Sequence, residues 1–237
     1  MLKKLKQRVL QANLLLKEYG LVLFTWGNAS EVDPGRGYMV IKPSGVRYEV
    51  MTWEQMCVVS LEDGSLVEGE LNPSTDAPTH LEIYRRFPGV GGIVHTHSAY
   101  ATAFAQAGLG IPCYGTTHAD YFYGEIPCVR RLRAEEIRDN YEKNTGRVIV
   151  EAFQEYALDP LAVPGALASG HGPFAWGESA CDAAANAAYL EETAHLAYMT
   201  RQLASGGVAP VAQDLLDKHY NRKHGKDAYY GQSTLNI

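Results

Sequence analysis

Two histidines two places apart, His95 and His97, close the run Gly91-Gly92-Ile93-Val94-His95-Thr96-His97. Side chains alternate between the faces of a strand, so the spacing predicts that the pair projects from one face. Two neutral imidazoles side by side can grip a divalent metal, but a zinc centre takes three or four protein ligands. His171 is a third candidate. It sits in Ser169-Gly170-His171-Gly172-Pro173, where glycines leave room around the ring and let the backbone bend. Alone it reads as a polar turn residue. Asp76 is the candidate fourth group, but Thr75-Asp76-Ala77-Pro78 is equally a helix start with an Asp N-cap. Spacing does not choose between cap and ligand.

Three small-polar turns accompany these residues: Gly27-Asn28, Ser44-Gly45 and Ser74-Thr75. Backbone N–H groups and hydroxyls in such turns suit an anion, and Lys42 adds a charge two residues before Ser44. Each turn alone is ordinary turn chemistry. None fits the Gly-x-x-x-x-Gly-Lys-Ser/Thr pattern, so a nucleoside triphosphate is not indicated.

The elements that must hold these residues alternate in type. An amphipathic helix opens the chain, with Leu2, Leu5, Val9, Ala12 and Leu16 at helical spacing and Gly20 as its stop. A strand is expected from Leu21 into the Gly27-Asn28 turn, and another across GYMVIKPSG. Residues 56–69 read as a hairpin turning at Asp63-Gly64. A helix follows Asp76 and stops at Pro88-Gly89, and Ser98 can cap the next. Residues 134–146 and 147–156 read as two helices separated by Gly146. Two short strands flank His171, Ser179 with Asp182 opens a long helix to Leu203, and a last helix runs from Pro210 to His224. This order predicts a layered α/β/α domain around a mixed, largely antiparallel sheet. A single domain over residues 1–237 is expected, since no linker, repeat or low-complexity tract interrupts the chain.

The composition sets limits. The 237 residues are 46% hydrophobic and 20% charged, which is ordinary for a chain that buries a core. A net charge of -6 argues against a nucleic-acid binder. Cys57, Cys113, Cys128 and Cys181 are scattered, which suggests neither a disulfide framework nor a cysteine zinc site. No segment is apolar enough to span a bilayer, and the first helix lacks the core of a signal peptide. A cytoplasmic protein is the expectation.

The stretches TWGNAS, VIKPSG, PSTDAPTH, GGIVHTHS, GTTHADYFYG, HGPFAWG and LLDKHYNRKHG…AYYGQ together resemble the class II, zinc-dependent sugar-phosphate aldolase family, and its epimerase branch in particular. They reach from about Leu5 to Gln232. The histidine triad and the turns belong to the whole family, whereas GTTHADYFYG and the C-terminal motif are specific to the epimerases.

The resemblance implies that His95, His97 and His171 bind one Zn2+ per subunit, with Asp76 at the metal. It implies that Gly27, Asn28, Ser44, Gly45, Ser74 and Thr75 hold a phosphorylated ketopentose, with Lys42 close by. Thr75 stands where the family has serine and keeps the hydroxyl. Asp120 and Tyr230 would be the acid/base pair, supported by His219, Thr116 and Glu142. Tyr230 is chosen over Tyr229 by counting back from Gly231-Gln232. A tail from about 226 to 237 would carry Tyr230 into a neighbouring subunit's site in a homotetramer. The implied activity is inversion at C4 of a 2-ketopentose 5-phosphate, as in arabinose or ascorbate breakdown. Alternatives are an aldolase of the same family, or a non-catalytic interaction protein on this fold.

Overall fold

A computed structural model describes residues 2–33, 35, 37–204 and 207–229. Among the described residues eight strands form one sheet: β1 (Asn28–Asp33), β2 (Tyr38–Ile41), β3 (Cys57–Ser60), β4 (Leu66–Glu68), β5 (Gly92–His95), β6 (Cys128–Val129), β7 (Gly165–Ala168) and β8 (Gly172–Gly177). Their order is β4-β3-β2-β1-β5-β8-β7-β6. Every pair is antiparallel except β6 with β7, as the sequence leads one to expect.

Alternation along the strands builds two cores. Val40 and Val58 point into the larger one, shared with α1 (Lys3–Glu18) and the long α7 (Ala180–Leu203). Met39, Ile41, Cys57 and Val59 point the other way, onto Ala77 and Leu81 of α2 (Ala77–Arg86). Helices therefore cover both faces. The apolar stripe of α1 is buried as its spacing predicts. Ser179 caps α7 by accepting from the Asp182 N–H at 3.2 Å. The 56–69 hairpin forms with its turn at Asp63-Gly64.

Four sequence expectations need correction. The segment from Leu21 to Gly27 is not a strand; β1 begins after the turn. Phe24 and Gly27 both take left-handed backbone (φ +55° and +75°), which breaks an extended run. A side chain at Gly27 would also meet Val22 Cγ1 at 2.7 Å and the His95 carbonyl at 2.9 Å. The strand bearing the histidine pair ends at His95, so His97 lies just beyond it. Gly146 does not separate two helices. α5 (Ala134–Arg138) is short, and α6 (Tyr141–Glu155) runs straight through Gly146. A Cβ there would sit 2.7 Å from the Thr79 carbonyl and 2.8 Å from Glu82 Cβ, so the glycine is what lets α6 lie against α2. Finally, Ser98 makes no side-chain cap for α3 (Ala99–Ala107). Glu191 of α7 takes that place, accepting from the Tyr100 and Ala101 N–H groups at 2.8 and 2.9 Å.

Two helices complete the description: α4 (Thr116–Ala119) and α8 (Gln213–His224), which pack together. No helix among the described residues is long and apolar enough to cross a membrane.

Candidate metal centre and substrate cavity

β5 and β8 are neighbours, and their pairing sets His95 opposite Phe174. The ends of these strands bring three histidines together. Ring centroids lie 4.9 Å apart for His95 and His97, 4.5 Å for His95 and His171, and 5.1 Å for His97 and His171. One nitrogen from each ring falls within 4.8 Å of the others.

The tautomer of His95 can be read from its partner. Nδ1 lies 2.9 Å from the Pro173 carbonyl, which only accepts, so Nδ1 carries the hydrogen. Nε2 is then a bare lone pair, buried and without a partner among the described residues. Burial, opposed by the nearby Asp76 carboxylate, pushes the His95 pKa down to about 3 and keeps the ring neutral. Burial lowers His97 and His171 as well. Three neutral imidazoles with converging lone pairs, one of them stranded without a donor, fit a divalent metal.

The cluster opens on a cavity of about 500 Å³. Its walls include Gly27 and Asn28 from the turn into β1, Lys42, Ser44 and Gly45 after β2, and Ser74, Thr75 and Asp76 before α2. Glu142 enters from α6. The sheet register explains this convergence, since Asn28 pairs directly with His95.

Asp76 occupies the N-cap position of α2 without making a side-chain cap bond. Its Oδ2 instead accepts from Asn28 Nδ2 at 2.7 Å. Burial pushes its pKa up, but the positive charge that the neighbouring histidines take on when protonated, together with the Asn28 amide, outweighs that and holds it below the ordinary value. The mutually close donors are the three histidines; Asp76 is beside them rather than among them. Lys42 is buried, with its Nζ on the Thr25 carbonyl at 3.1 Å and 5.1 Å from the Tyr48 ring centroid. Burial lowers its pKa to about 8. Among the described residues this buried ammonium meets carbonyl oxygens and a ring face but no carboxylate, so it is poised for an anion.

Asp120, His219 and Thr116 are not in this cavity. Asp120 ends α4 and faces α8, where His219 Nδ1 lies 3.0 Å from Oδ1. Arg222 reaches both carboxylate oxygens, and His224 Nε2 donates to the Asp120 carbonyl at 2.9 Å. Burial raises the Asp120 pKa, yet hydrogen bonds from Arg222 and His219 bring it below the ordinary value. Thr116 opens α4 and is exposed. Tyr230 and most of the 226–237 tail lie outside the described residues.

Sequence reasoning missed two aromatic residues at the cavity. Trp26 lines it, with its ring centroid 6.1 Å from that of His97. Tyr141 lines it next to Glu142 and places its hydroxyl 3.4 Å from His171 Nδ1. Trp26 sits inside the quoted TWGNAS stretch; Tyr141 carried no spacing signal.

The chain belongs to the class II aldolase and adducin N-terminal domain family, whose model matches residues 7–198. Among its relatives are proteins called L-ribulose-5-phosphate 4-epimerase UlaF. Those from Salmonella paratyphi A and Salmonella typhi are 54% identical over 231 residues, covering 98% of this chain and 100% of each relative. A solved L-fuculose 1-phosphate aldolase superposes with a TM-score of 0.78 at 20% identity, covering 94% of this chain and 98% of its own. The L-fuculose-1-phosphate aldolase from Thermus thermophilus gives 0.67 at 27% identity, over 87% and 98%.

Proposed function

We propose that this chain is a metal-dependent isomerase that interconverts L-ribulose 5-phosphate and D-xylulose 5-phosphate. The observation that carries the reading is the neutral three-histidine cluster opening on a cavity edged by Lys42 and the small-polar turns. The kinship with L-ribulose-5-phosphate 4-epimerases over nearly the whole chain supports the same choice of substrate.

The chemistry explains why such parts belong together. The hydrogen on C4 is not α to the C2 carbonyl, so simple deprotonation there is prohibitive. The C3–C4 bond is placed for retro-aldol cleavage. A base takes the C4 hydroxyl proton, C3–C4 breaks, and its electrons pass into the C2–C3 unit. The fragments are the enediolate of dihydroxyacetone and glycolaldehyde phosphate. The aldehyde turns its other face, the bond re-forms, and an acid protonates the new alkoxide at C4.

His95, His97 and His171 would hold Zn2+, which would supply Lewis acidity to the cleavage. Asp76, fixed by Asn28, faces the same place. Lys42 with Gly27, Asn28, Ser44, Gly45, Ser74 and Thr75 retains the phosphate while the aldehyde rotates. Glu142 contacts the sugar from the α6 side. Asp120 and Tyr230 move the two protons, with His219 and Thr116 supporting them. Asp120 does not line the cavity of His95, His97 and His171 in its own chain, which favours a site completed by a neighbouring subunit in a cytoplasmic homotetramer, the tail delivering Tyr230.

The deciding assay incubates the protein with L-ribulose 5-phosphate, with and without a chelator, followed by zinc add-back. D-xylulose 5-phosphate should form, stop on chelation and return with metal. Free dihydroxyacetone instead would point to an aldolase. Tyr230→Phe should keep its zinc and lose most turnover.

A further inference from the structure

Tyr141 stands at the cavity with no part in the scheme above. It opens α6 directly after Asn140, whose left-handed backbone (φ +64°) turns the chain so that Tyr141 and Glu142 both line the cavity. Such backbone costs free energy outside glycine and gathers at functional sites. The turn is pinned at two points. Thr79 Oγ1 donates to the Glu142 carbonyl at 2.6 Å, and Thr145 Oγ1 donates to the Tyr141 carbonyl at 3.0 Å.

The Tyr141 hydroxyl oxygen lies 3.4 Å from His171 Nδ1. The role of the ring fixes the direction of this contact. A neutral imidazole that offers one nitrogen to a metal carries its hydrogen on the other. His95 already has that arrangement, with Nδ1–H on the Pro173 carbonyl and Nε2 bare. When His171 binds through Nε2, its Nδ1–H donates and the phenol oxygen accepts. The phenolic hydrogen is then not spent on His171, and although the Thr145 hydroxyl is also near the phenol, that hydrogen is free to turn to an acceptor in the cavity.

We infer that Tyr141 is a further catalytic residue. Its hydroxyl donates a hydrogen bond to an oxygen at the keto end of the substrate, where negative charge gathers as C3–C4 opens, a role that presupposes the retro-aldol chemistry proposed above. No proton is transferred and no bond is made. The donor is held in place beforehand by α6 and His171, so it need not reorganise as charge develops. Donors of this kind are worth roughly 10²–10³ in turnover.

The test compares Tyr141→Phe with the parent protein, both loaded with zinc. Zinc stoichiometry, and affinity measured by chelator competition, should stay within about threefold, because the phenyl ring keeps its packing beside His171. Glycolohydroxamate, a planar chelating mimic of the dihydroxyacetone enediolate, should bind at least about tenfold more weakly by calorimetry. With L-ribulose 5-phosphate, kcat should fall about 10²-fold with KM little changed. Unchanged hydroxamate affinity or unchanged kcat overturns the assignment. So does loss of zinc affinity, which would make Tyr141 only a support for His171. A parent protein that does not epimerise the sugar phosphate sinks the retro-aldol reading on its own, and the hydroxamate comparison still decides Tyr141.

Discussion

Arg222 grips Asp120 at two points, Nε on Oδ1 at 3.0 Å and a terminal nitrogen on Oδ2 at 2.6 Å. This fork joins α8 to the end of α4 and holds the carboxylate ionised. Asp120→Asn should keep its metal and lose roughly 10²–10⁴ in kcat, the span of general acid–base catalysis. Arg222→Gln should move the acid limb of the pH–rate profile upward. The sign follows from the fork: it lowers the Asp120 pKa, and without it protonation begins at higher pH. Arg222→Lys, which keeps the charge but not the fork, should fall between the two.

Lys42 sets an alkaline limit. Burial has brought its pKa to about 8, so it is charged below that pH and loses its proton above it. In the proposed function it is the charged form that holds the substrate phosphate. The profile of kcat/KM, which reports free enzyme, should therefore decline above about pH 8. Lys42→Met should lower kcat/KM at neutral pH and remove this inflection. An inflection that survives in the variant would assign it elsewhere.

Substitution should separate His95 from His97 by burial. His95 is buried and His97 is exposed. His95→Asn strands a polar group in the interior and should abolish stoichiometric zinc binding. His97→Asn should bind zinc more weakly yet measurably. Adding zinc to the stripped parent should raise its melting temperature, by an amount set by the ratio of free zinc to its Kd.

Gly146→Ala sets two effects against each other. Alanine favours a helix by about 1 kcal/mol over glycine. Against that, its Cβ would meet the Thr79 backbone oxygen and Glu82 Cβ at under 3 Å. Overpacking costs about 1–3 kcal/mol, and backbone cannot step aside as a flexible side chain can. Net destabilisation is expected by urea unfolding, with KM raised because α6 and the residues leading into α2 border the cavity.

The histidines were legible because type, spacing and an apolar strand coincide in one short run. The sheet was legible for a similar reason, since Met39/Ile41 and Cys57/Val59 alternate with Val40 and Val58. What escaped depends on contacts far apart in sequence. Gly146 looks like a helix breaker until α2 is laid against it. Ser98 looks like a cap until Glu191, on another helix, is seen to do that job. Tyr141 has no periodicity to mark it and gains meaning only from His171. That Asp120 faces α8 and not the cavity of His95, His97 and His171 is likewise a fact of topology, which no local pattern records.

The pairing of β5 with β8 has a bearing on how the protein is made. His95 and His97 are synthesised long before His171, and β5 lies next to β8 only after residues 172–177 have emerged. Until then the nascent chain offers two imidazoles, a grip too weak and too common to discriminate between cations. Completion of the triad is thus tied to a late, long-range strand pairing, so a metal that needs all three imidazoles would find them together only in a chain whose sheet has closed.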